Sequence, residues 1–280
     1  MITDWDAAYA NMDHVKEGPS YPPKWMAAAA LYREAMSAKG KARLDLRYGP
    51  GERNLADLFL PDGDPLGLVV FVHGGYWRAF DKSVWSHVAQ GCVDAGWAVA
   101  LPSYTLCPDI RIAGIAQEIS AAISFLAGEI GGPIHLSGHS AGGHLVSRMV
   151  CLDTKLDEDI LARIANVVSI SGVHDLRPLL NTQLNAVLRM DDAEARAESP
   201  CLLEPLEGIK LTAWVGGGEL PEFVRQNDLL ANVWTGLSAT TRSVHDGTRN
   251  HFTVVEALGD KASPLVAAIT GDDGWFRQEA

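Results

Sequence analysis

The chain has 280 residues, of which 47% are hydrophobic and 21% charged, a composition typical of a globular protein. Its formal net charge of −12, without any run rich in lysine and arginine, argues against nucleic acid or an anionic membrane surface as a partner. The chain starts without the basic and apolar stretches of a secretory signal, and no apolar run is long enough to cross a bilayer. We expect a small-molecule substrate, and a homodimer is compatible with the sequence.

The four cysteines are scattered along the chain and form no C-x-x-C pair. They are Cys92, Cys107, Cys151 and Cys201. This pattern predicts free thiols in a reducing, cytoplasmic compartment and no metal site. The glycine-rich segments lack the spacing of a dinucleotide fingerprint, so we expect no cofactor.

In chain order, residues 1–50 are predicted to be a helical segment, and strand-like and helix-like patterns alternate from about residue 54 onward. The predicted strands are 55–60, 68–73, 98–102, 134–137, 167–171, 211–215 and 241–245. The predicted helices are 83–95, 112–130, 141–152 and 221–237. This alternation predicts an α/β fold, with a mostly parallel central sheet and helices on both faces, in a single domain of residues 1–280.

Residues 174–205 interrupt the alternation with short helical patterns and no strand. We predict that this segment is a cap insertion, which with residues 1–50 would form a small helical lid over the sheet end where such folds bind ligands. Surface decoration is the alternative for both segments.

A candidate nucleophile, Ser140, lies in the stretch GHSAG, which follows the apolar run 133–136. A G-x-S-x-G motif after a strand holds a serine hydroxyl on a strained turn at the end of the sheet. A tight turn of small residues is the simpler reading of the pentapeptide alone. The functional interpretation therefore depends on partners elsewhere in the chain.

A serine hydroxyl needs a base, and in α/β-hydrolases the chain order is serine, acid, histidine. His144 lies in the helix that the serine opens, His174 starts the insertion, and His245 ends a strand of alternating residues. His251 lies in a polar loop after the last predicted strand and directly before a helix. The order of the partners therefore favours His251 as the base.

Two carboxylates could orient this histidine. Glu219 directly follows the strand 211–215, whereas Asp246 lies only five residues before His251 in the same loop. A single short loop rarely brings both groups into contact, so we predict Glu219 as the acid and Asp246 as a turn residue.

The stretch HGGYW follows the strand 68–73 and matches the oxyanion loop of esterases and lipases. Gly74 and Gly75 would let backbone N–H groups converge on one point, and the N–H of Ala141 would add a donor at a helix N-terminus.

Together, HGGYW, GHSAGGHL, SGVHDLRPLL, GGGELPEFVRQ and HFTVVEAL resemble the kynurenine formamidase (arylformamidase) branch of the α/β-hydrolases. The resemblance covers most of residues 54–258, with fainter similarity near the N-terminus. It implies an α/β-hydrolase fold, catalytic roles for Ser140, Glu219 and His251, and oxyanion donors at the HGG glycines. The acid of the family is often aspartate, and glutamate is a departure that the chemistry tolerates.

The resemblance implies hydrolysis of an N-formyl arylamide, with N-formylkynurenine in tryptophan catabolism as the leading substrate. A carboxylesterase with the same triad is the alternative. A non-catalytic binding protein on this fold is disfavoured because the catalytic residue types are all retained. Tyr76, Trp77 and Tyr104 are predicted to flank the flat leaving group, and burial in the core is equally compatible with these aromatics.

Overall fold

The computed structural model of the chain describes residues 2–275. Within them, one sheet contains the strands β1 (Ala42–Arg47), β2 (Leu55–Phe59), β3 (Leu68–Val72), β4 (Ala98–Pro102), β5 (Ile134–His139), β6 (Ile164–Ile170), β7 (Lys210–Gly216) and β8 (Thr240–Asp246). The spatial order of the strands is β1-β2-β4-β3-β5-β6-β7-β8. The pairings of β1 with β2 and of β2 with β4 are antiparallel, and all the others are parallel.

Helices cover both faces of this sheet. They are α1 (Trp5–Tyr9), α2 (Asn11–His14), α3 (Tyr21–Ala38), α4 (Gln90–Asp94), α5 (Ile112–Glu129), α6 (Ala141–Arg148), α7 (Glu158–Leu161), α8 (Asn185–Leu188), α9 (Asp192–Ala197), α10 (Pro221–Thr235) and α11 (Pro264–Thr270). None of the helices in residues 2–275 combines the length and the apolar character that a membrane span needs.

The central strand β3 shows why its sequence is apolar throughout. Leu68, Val70 and Val72 pack into one core with residues of α5, α6 and α10. Val69 and Phe71 pack into a second core with residues of α3, α4 and α11. A strand buried on both faces carries a continuous apolar run. The two cores confirm the predicted three-layer arrangement of helices around a mostly parallel sheet.

All seven predicted strands are present, with ends shifted by at most three residues. The prediction of a helical segment through residue 50 is wrong at Ala42–Arg47, which forms the edge strand β1. Most of its side chains are exposed, so it lacks an apolar face that would mark it as a strand. The pairing of β1 with β2 shifts register near Asp45, where φ is 56°. Lys82 Nζ lies there between two carboxylates, 2.7 Å from Asp45 Oδ1 and 2.6 Å from Asp57 Oδ1.

Residues 174–205 contain short helices and no strand, as predicted. They comprise α8, α9 and the 3₁₀-helices Arg177–Asn181 and Pro200–Leu202. The predicted helix 83–95 is two 3₁₀-helices, Lys82–Val84 and Ser86–Ala89, followed by the short α4.

Candidate active site

Ser140 lies on the sharp turn between β5 and α6. Its φ of 56° and ψ of −116° lie in a sparsely populated region that costs a non-glycine residue roughly 1–3 kcal/mol. Two glycines make the turn sterically feasible. A Cβ at Gly138 would lie 2.3 Å from the carbonyl oxygen of Gly142, and a Cβ at Gly142 would lie 1.9 Å from that of Val72. This is the strained strand-to-helix turn that the G-x-S-x-G motif predicts.

His251 and Glu219 follow β8 and β7, and their side chains meet in the interior of the protein. His251 Nδ1 lies 2.6 Å from Glu219 Oε2. The other carboxylate oxygen, Oε1, accepts hydrogen bonds from Ser171 Oγ at 2.5 Å and from the backbone N–H of Gly216 at 2.8 Å. A carboxylate only accepts hydrogen bonds, so Nδ1 of His251 carries the proton and Nε2 is left as a proton acceptor.

The alternative acid, Asp246, is engaged elsewhere. It accepts a hydrogen bond from Trp214 Nε1 at 3.2 Å and lies 3.4 Å from Arg249 Nε. Among residues 2–275, the carboxylate that contacts the ring of His251 is that of Glu219. The geometry therefore favours the predicted choice of Glu219.

Three other histidines after Ser140 have structural contacts. His144 Nε2 donates to the carbonyl oxygen of Glu198 at 2.6 Å, and burial lowers its pKa to about 4. The ring of His174 lies 3.2 Å from Ser169 Oγ, and burial lowers its pKa to about 3. His245 is on the surface, paired with an aspartate of α10 at 2.8 Å. None of the three lines the cavity that contains Ser140.

His139, which precedes the serine, also lines the cavity that contains Ser140 and was not predicted from the sequence as a site residue. Its Nε2 donates to the backbone carbonyl of His251 at 2.9 Å, and the two rings lie 4.6 Å apart. Burial, with a further contribution from the charge of His251, lowers the pKa of His139 well below its ordinary value. His139 is therefore neutral near pH 7 and fixes the backbone of His251 without adding a charge. The only sequence signal was its place inside the GHSAG motif.

The loop after β3 lies directly against the serine turn. A Cβ at Gly74 would lie 2.8 Å from the carbonyl oxygen of His139 and 3.1 Å from Cβ of Ser140, so this approach requires glycine. Gly75 has a φ of 115°, and a Cβ there would meet a backbone oxygen at 2.4 Å. Within residues 2–275, the backbone N–H groups of Gly74, Gly75 and Ala141 donate to no acceptor. They are available to a ligand oxygen.

Ser140 and His251 line one cavity of about 380 Å³. No hydrogen bond joins their side chains within the described residues, so the predicted contact between the serine and the histidine is not preformed. The walls are mainly aromatic, from Tyr9, Trp25, Tyr76, Phe80, Trp85 and Phe252. In the absence of substrate, catalytic hydrogen bonds are often long or poorly aligned, and they tighten when substrate binds.

Of the three aromatics predicted to flank a substrate, only Tyr76 lines this cavity. The prediction is wrong for Trp77 and Tyr104, because both are fully buried. Trp77 packs edge-on against His144, with ring centroids 5.2 Å apart. Tyr104 stacks on His73 at 4.3 Å, and its hydroxyl donates to the carbonyl oxygen of His73 at 3.0 Å. These two residues therefore pack in the core beside the loop after β3 and do not face the cavity.

The N-terminal segment supplies part of the cavity wall, through residues 9–12 and Trp25. Tyr76 ties it down: its hydroxyl donates to the carbonyl oxygen of Tyr9 at 2.6 Å and accepts from Asn11 Nδ2 at 3.3 Å. By contrast, the cavity lining includes no residue of 174–205. The insertion lies beside α1 instead, where the backbone N–H of Gln183 donates to Asp6 at 2.7 Å. At this cavity, the wall is therefore built in part by the N-terminal segment and not by residues 174–205.

The chain matches known proteins along most of its length. A kynurenine formamidase from Danio rerio is 27% identical over 93% of this chain and 95% of its own. A protein from Silicibacter sp. TM1040, provisionally described as a thioesterase, is 50% identical, with a TM-score of 0.90 over 95% of this chain and 99% of its own. An inhibited esterase B from Lactobacillus rhamnosis shares the fold, with 18% identity and a TM-score of 0.67 over 93% and 98% of the two chains.

The family model of BD-FAE matches residues 56–205, which run from β2 through the serine turn to the end of the inserted helices. This match contains the loop after β3 and Ser140, and the fold around it is that of the α/β-hydrolases. The chain is therefore a hydrolase that belongs to the BD-FAE family, within the kynurenine formamidase-like α/β-hydrolases.

Proposed function

We propose that the protein is a serine hydrolase with Ser140 as nucleophile, His251 as general base and acid, and Glu219 as the carboxylate that orients His251. The observation that carries the proposal is the buried contact of 2.6 Å between His251 and Glu219 at the cavity that contains the strained Ser140. The contact holds Nδ1 protonated, so Nε2 can remove the proton of the serine hydroxyl.

In the first half of the reaction, Ser140 Oγ attacks the acyl carbon as its proton moves to His251 Nε2. The tetrahedral oxyanion accepts hydrogen bonds from the backbone N–H groups of Gly74, Gly75 and Ala141, which have no other acceptor among the described residues. Collapse of the intermediate breaks the bond to the leaving group, which takes the proton from His251. In the second half, a water molecule gives a proton to His251 and attacks the acyl group on Ser140. Collapse of this second intermediate releases the acid, and His251 returns the proton to Ser140.

The substrate class that we propose is an N-formyl arylamine, with N-formylkynurenine as the leading candidate and kynurenine and formate as products. Similarity to kynurenine formamidases supports it. The aromatic cavity of about 380 Å³ also suits a flat leaving group. An arylamine leaves more readily than an alkylamine, because its ring delocalises the nitrogen lone pair. A formyl carbon is also less hindered than an acetyl carbon.

Ester hydrolysis is the second candidate, because the 50% identical protein is provisionally described as a thioesterase. Ester and thioester leaving groups depart without the full protonation that an amide nitrogen needs. The same residues would then act in the same roles.

The two candidates are separated by kcat/KM for matched N-formyl arylamines, N-acetyl arylamines, aryl acetates and thioesters, with Ser140→Ala as the blank. We expect the formyl compound to be cleaved faster than the acetyl amide, with aryl esters accepted as side substrates. Ester or thioester turnover without formamide cleavage would assign the protein to the esterase class. A chelator should leave all rates unchanged, because no step uses a metal.

A further inference from the structure

Arg78 lines the active-site cavity and makes no hydrogen bond or ion pair through its guanidinium within residues 2–275. This is unusual in the chain. Twelve of the other arginines in the described part donate to a carboxylate, a carbonyl or a hydroxyl, and Arg189, on the surface, is the remaining exception. The side chain of Arg78 is exposed, so its charge is open to a ligand.

The backbone around Arg78 is held in place from both sides. Tyr76 and Trp77 both adopt positive φ values, 49° and 56°, so successive side chains turn in different directions. The hydroxyl of Tyr76 is tied to Tyr9, while Trp77 is buried in the core and its carbonyl oxygen accepts from the backbone N–H of Cys107 at 2.8 Å. The backbone N–H of Arg78 then closes a turn onto Gly75 at 3.0 Å.

The positive charge of Arg78 acts on groups that line the cavity, as its effect on Tyr76 shows. Burial raises the pKa of Tyr76, the charge of Glu219 raises it further, and Arg78 opposes the rise. No aspartate, glutamate or lysine of the described residues joins Arg78 in the lining, and most of the wall is aromatic or apolar. Low-dielectric walls strengthen the field of a single charge. In a chain of net charge −12, this cavity is therefore locally attractive to an anion.

We propose that Arg78 binds a carboxylate on the leaving-group part of the substrate. This inference rests on the proposed function. A formyl group is too small to carry a charge, so any anionic group of an N-formyl arylamine belongs to the amine that departs. A guanidinium pairs with a carboxylate through two parallel N–H···O hydrogen bonds. Arg78 thus selects anionic arylamines, of which an arylamine with an amino-acid side chain is one, over neutral arylamines of the same size.

The test uses pairs of substrates that differ only in this charge. The first pair is N-formylkynurenine and its α-carboxamide. The second pair is two aryl acetates whose phenol carries a propanoate or the corresponding propanamide, so that selectivity is measured even if formamides are not cleaved. Each pair is assayed with the wild type, Arg78→Gln, Arg78→Lys and the matched surface control Arg189→Gln.

We expect the ratio of kcat/KM for the carboxylate over the carboxamide to fall about tenfold in Arg78→Gln, mainly through KM, as for loss of a charged hydrogen bond. Arg78→Lys should retain part of the preference, Arg189→Gln should retain all of it, and added salt should weaken it in the wild type. An unchanged ratio in Arg78→Gln, or an equal fall in Arg189→Gln, would overturn the role of Arg78. Failure of the proposed function would look different: esters would be cleaved and N-formylkynurenine would not.

Discussion

Replacing Glu219 with glutamine probes the one contact on which the proposed catalytic geometry depends. In the wild type, Glu219 Oε1 accepts from Ser171 Oγ and the N–H of Gly216, while Oε2 faces His251 Nδ1 at 2.6 Å. In Glu219→Gln, the amide oxygen should occupy the Oε1 position, because two donors point at it. The amide NH₂ then faces His251 and forces Nδ1 to act as acceptor, which places the proton on Nε2.

A histidine protonated at Nε2 cannot accept the proton of Ser140, so the variant should be inactive although its shape is preserved. The corresponding tautomer error in serine proteases costs roughly 10⁴-fold in kcat. At about 1.36 kcal/mol per tenfold, this is about 5 kcal/mol of barrier. The stability of the protein should change much less, because the substitution keeps the volume of the side chain.

The assay compares kcat on an aryl acetate and on N-formylkynurenine for Glu219→Gln and for the control Asp246→Asn. Asp246 makes a partly exposed ion pair with Arg249, so its loss should cost about 1 kcal/mol of stability or less and leave kcat close to the wild-type value. A Glu219→Gln variant within tenfold of the wild type, or an Asp246→Asn variant that is the slower of the two, would refute the assignment.

Three further outcomes follow from the geometry. Tyr104→Phe should lower the free energy of unfolding by about 1 kcal/mol, because the hydroxyl of Tyr104 donates to the carbonyl oxygen of His73 and does not face the cavity. The ratio of formamide to ester hydrolysis should stay unchanged. Denaturant titration measures the first effect, and the two hydrolysis rates measure the second. Gly75→Ala should lower kcat by roughly 10²-fold or more, because φ is 115° there and an oxyanion donor would shift. The melting temperature should fall as the pH is lowered from about 6.5 to about 4. Burial holds the pKa values of His73, His135 and His144 at about 4.

The sign of this pH effect follows from which state binds protons. In the unfolded chain these histidines have a pKa near 6.5. Below that pH the unfolded state therefore binds more protons than the folded state, in which the rings stay neutral. Each histidine then removes up to about 1.4 kcal/mol of stability per pH unit until its folded pKa is reached. A melting temperature that stays constant between pH 7 and 4.5 would contradict the assignment of neutral, buried rings.

The parallel strands, and the candidate catalytic residues in the loops that follow them, could be predicted because both depend on local sequence patterns. Strand-like patterns predicted β3, β5 and β7, and the loops that follow these strands carry Gly74, Ser140 and Glu219. The order of these groups along the chain then selected His251 from four candidates. The edge strand β1 was not predicted, because its exposed ARLDLR sequence has no apolar face.

The cavity wall could not be predicted because it depends on contacts between distant parts of the chain. Tyr76 and Trp77 are neighbours in sequence, yet the positive φ values at both residues send one side chain to the cavity and the other to the core. Trp25, Trp85 and Phe252 come together from three separate parts of the chain that no local pattern links. His139 is in the motif itself, but its hydrogen bond to His251 spans 112 residues.

The most direct test of the account is covalent labelling of the protein with an aryl phosphonate, followed by peptide mapping. We predict one adduct per chain on Ser140, with loss of formamide and ester hydrolysis in proportion to labelling, and no adduct on Ser140→Ala. An adduct on another residue, or full activity in a chain labelled at Ser140, would contradict the claim that this serine is the nucleophile.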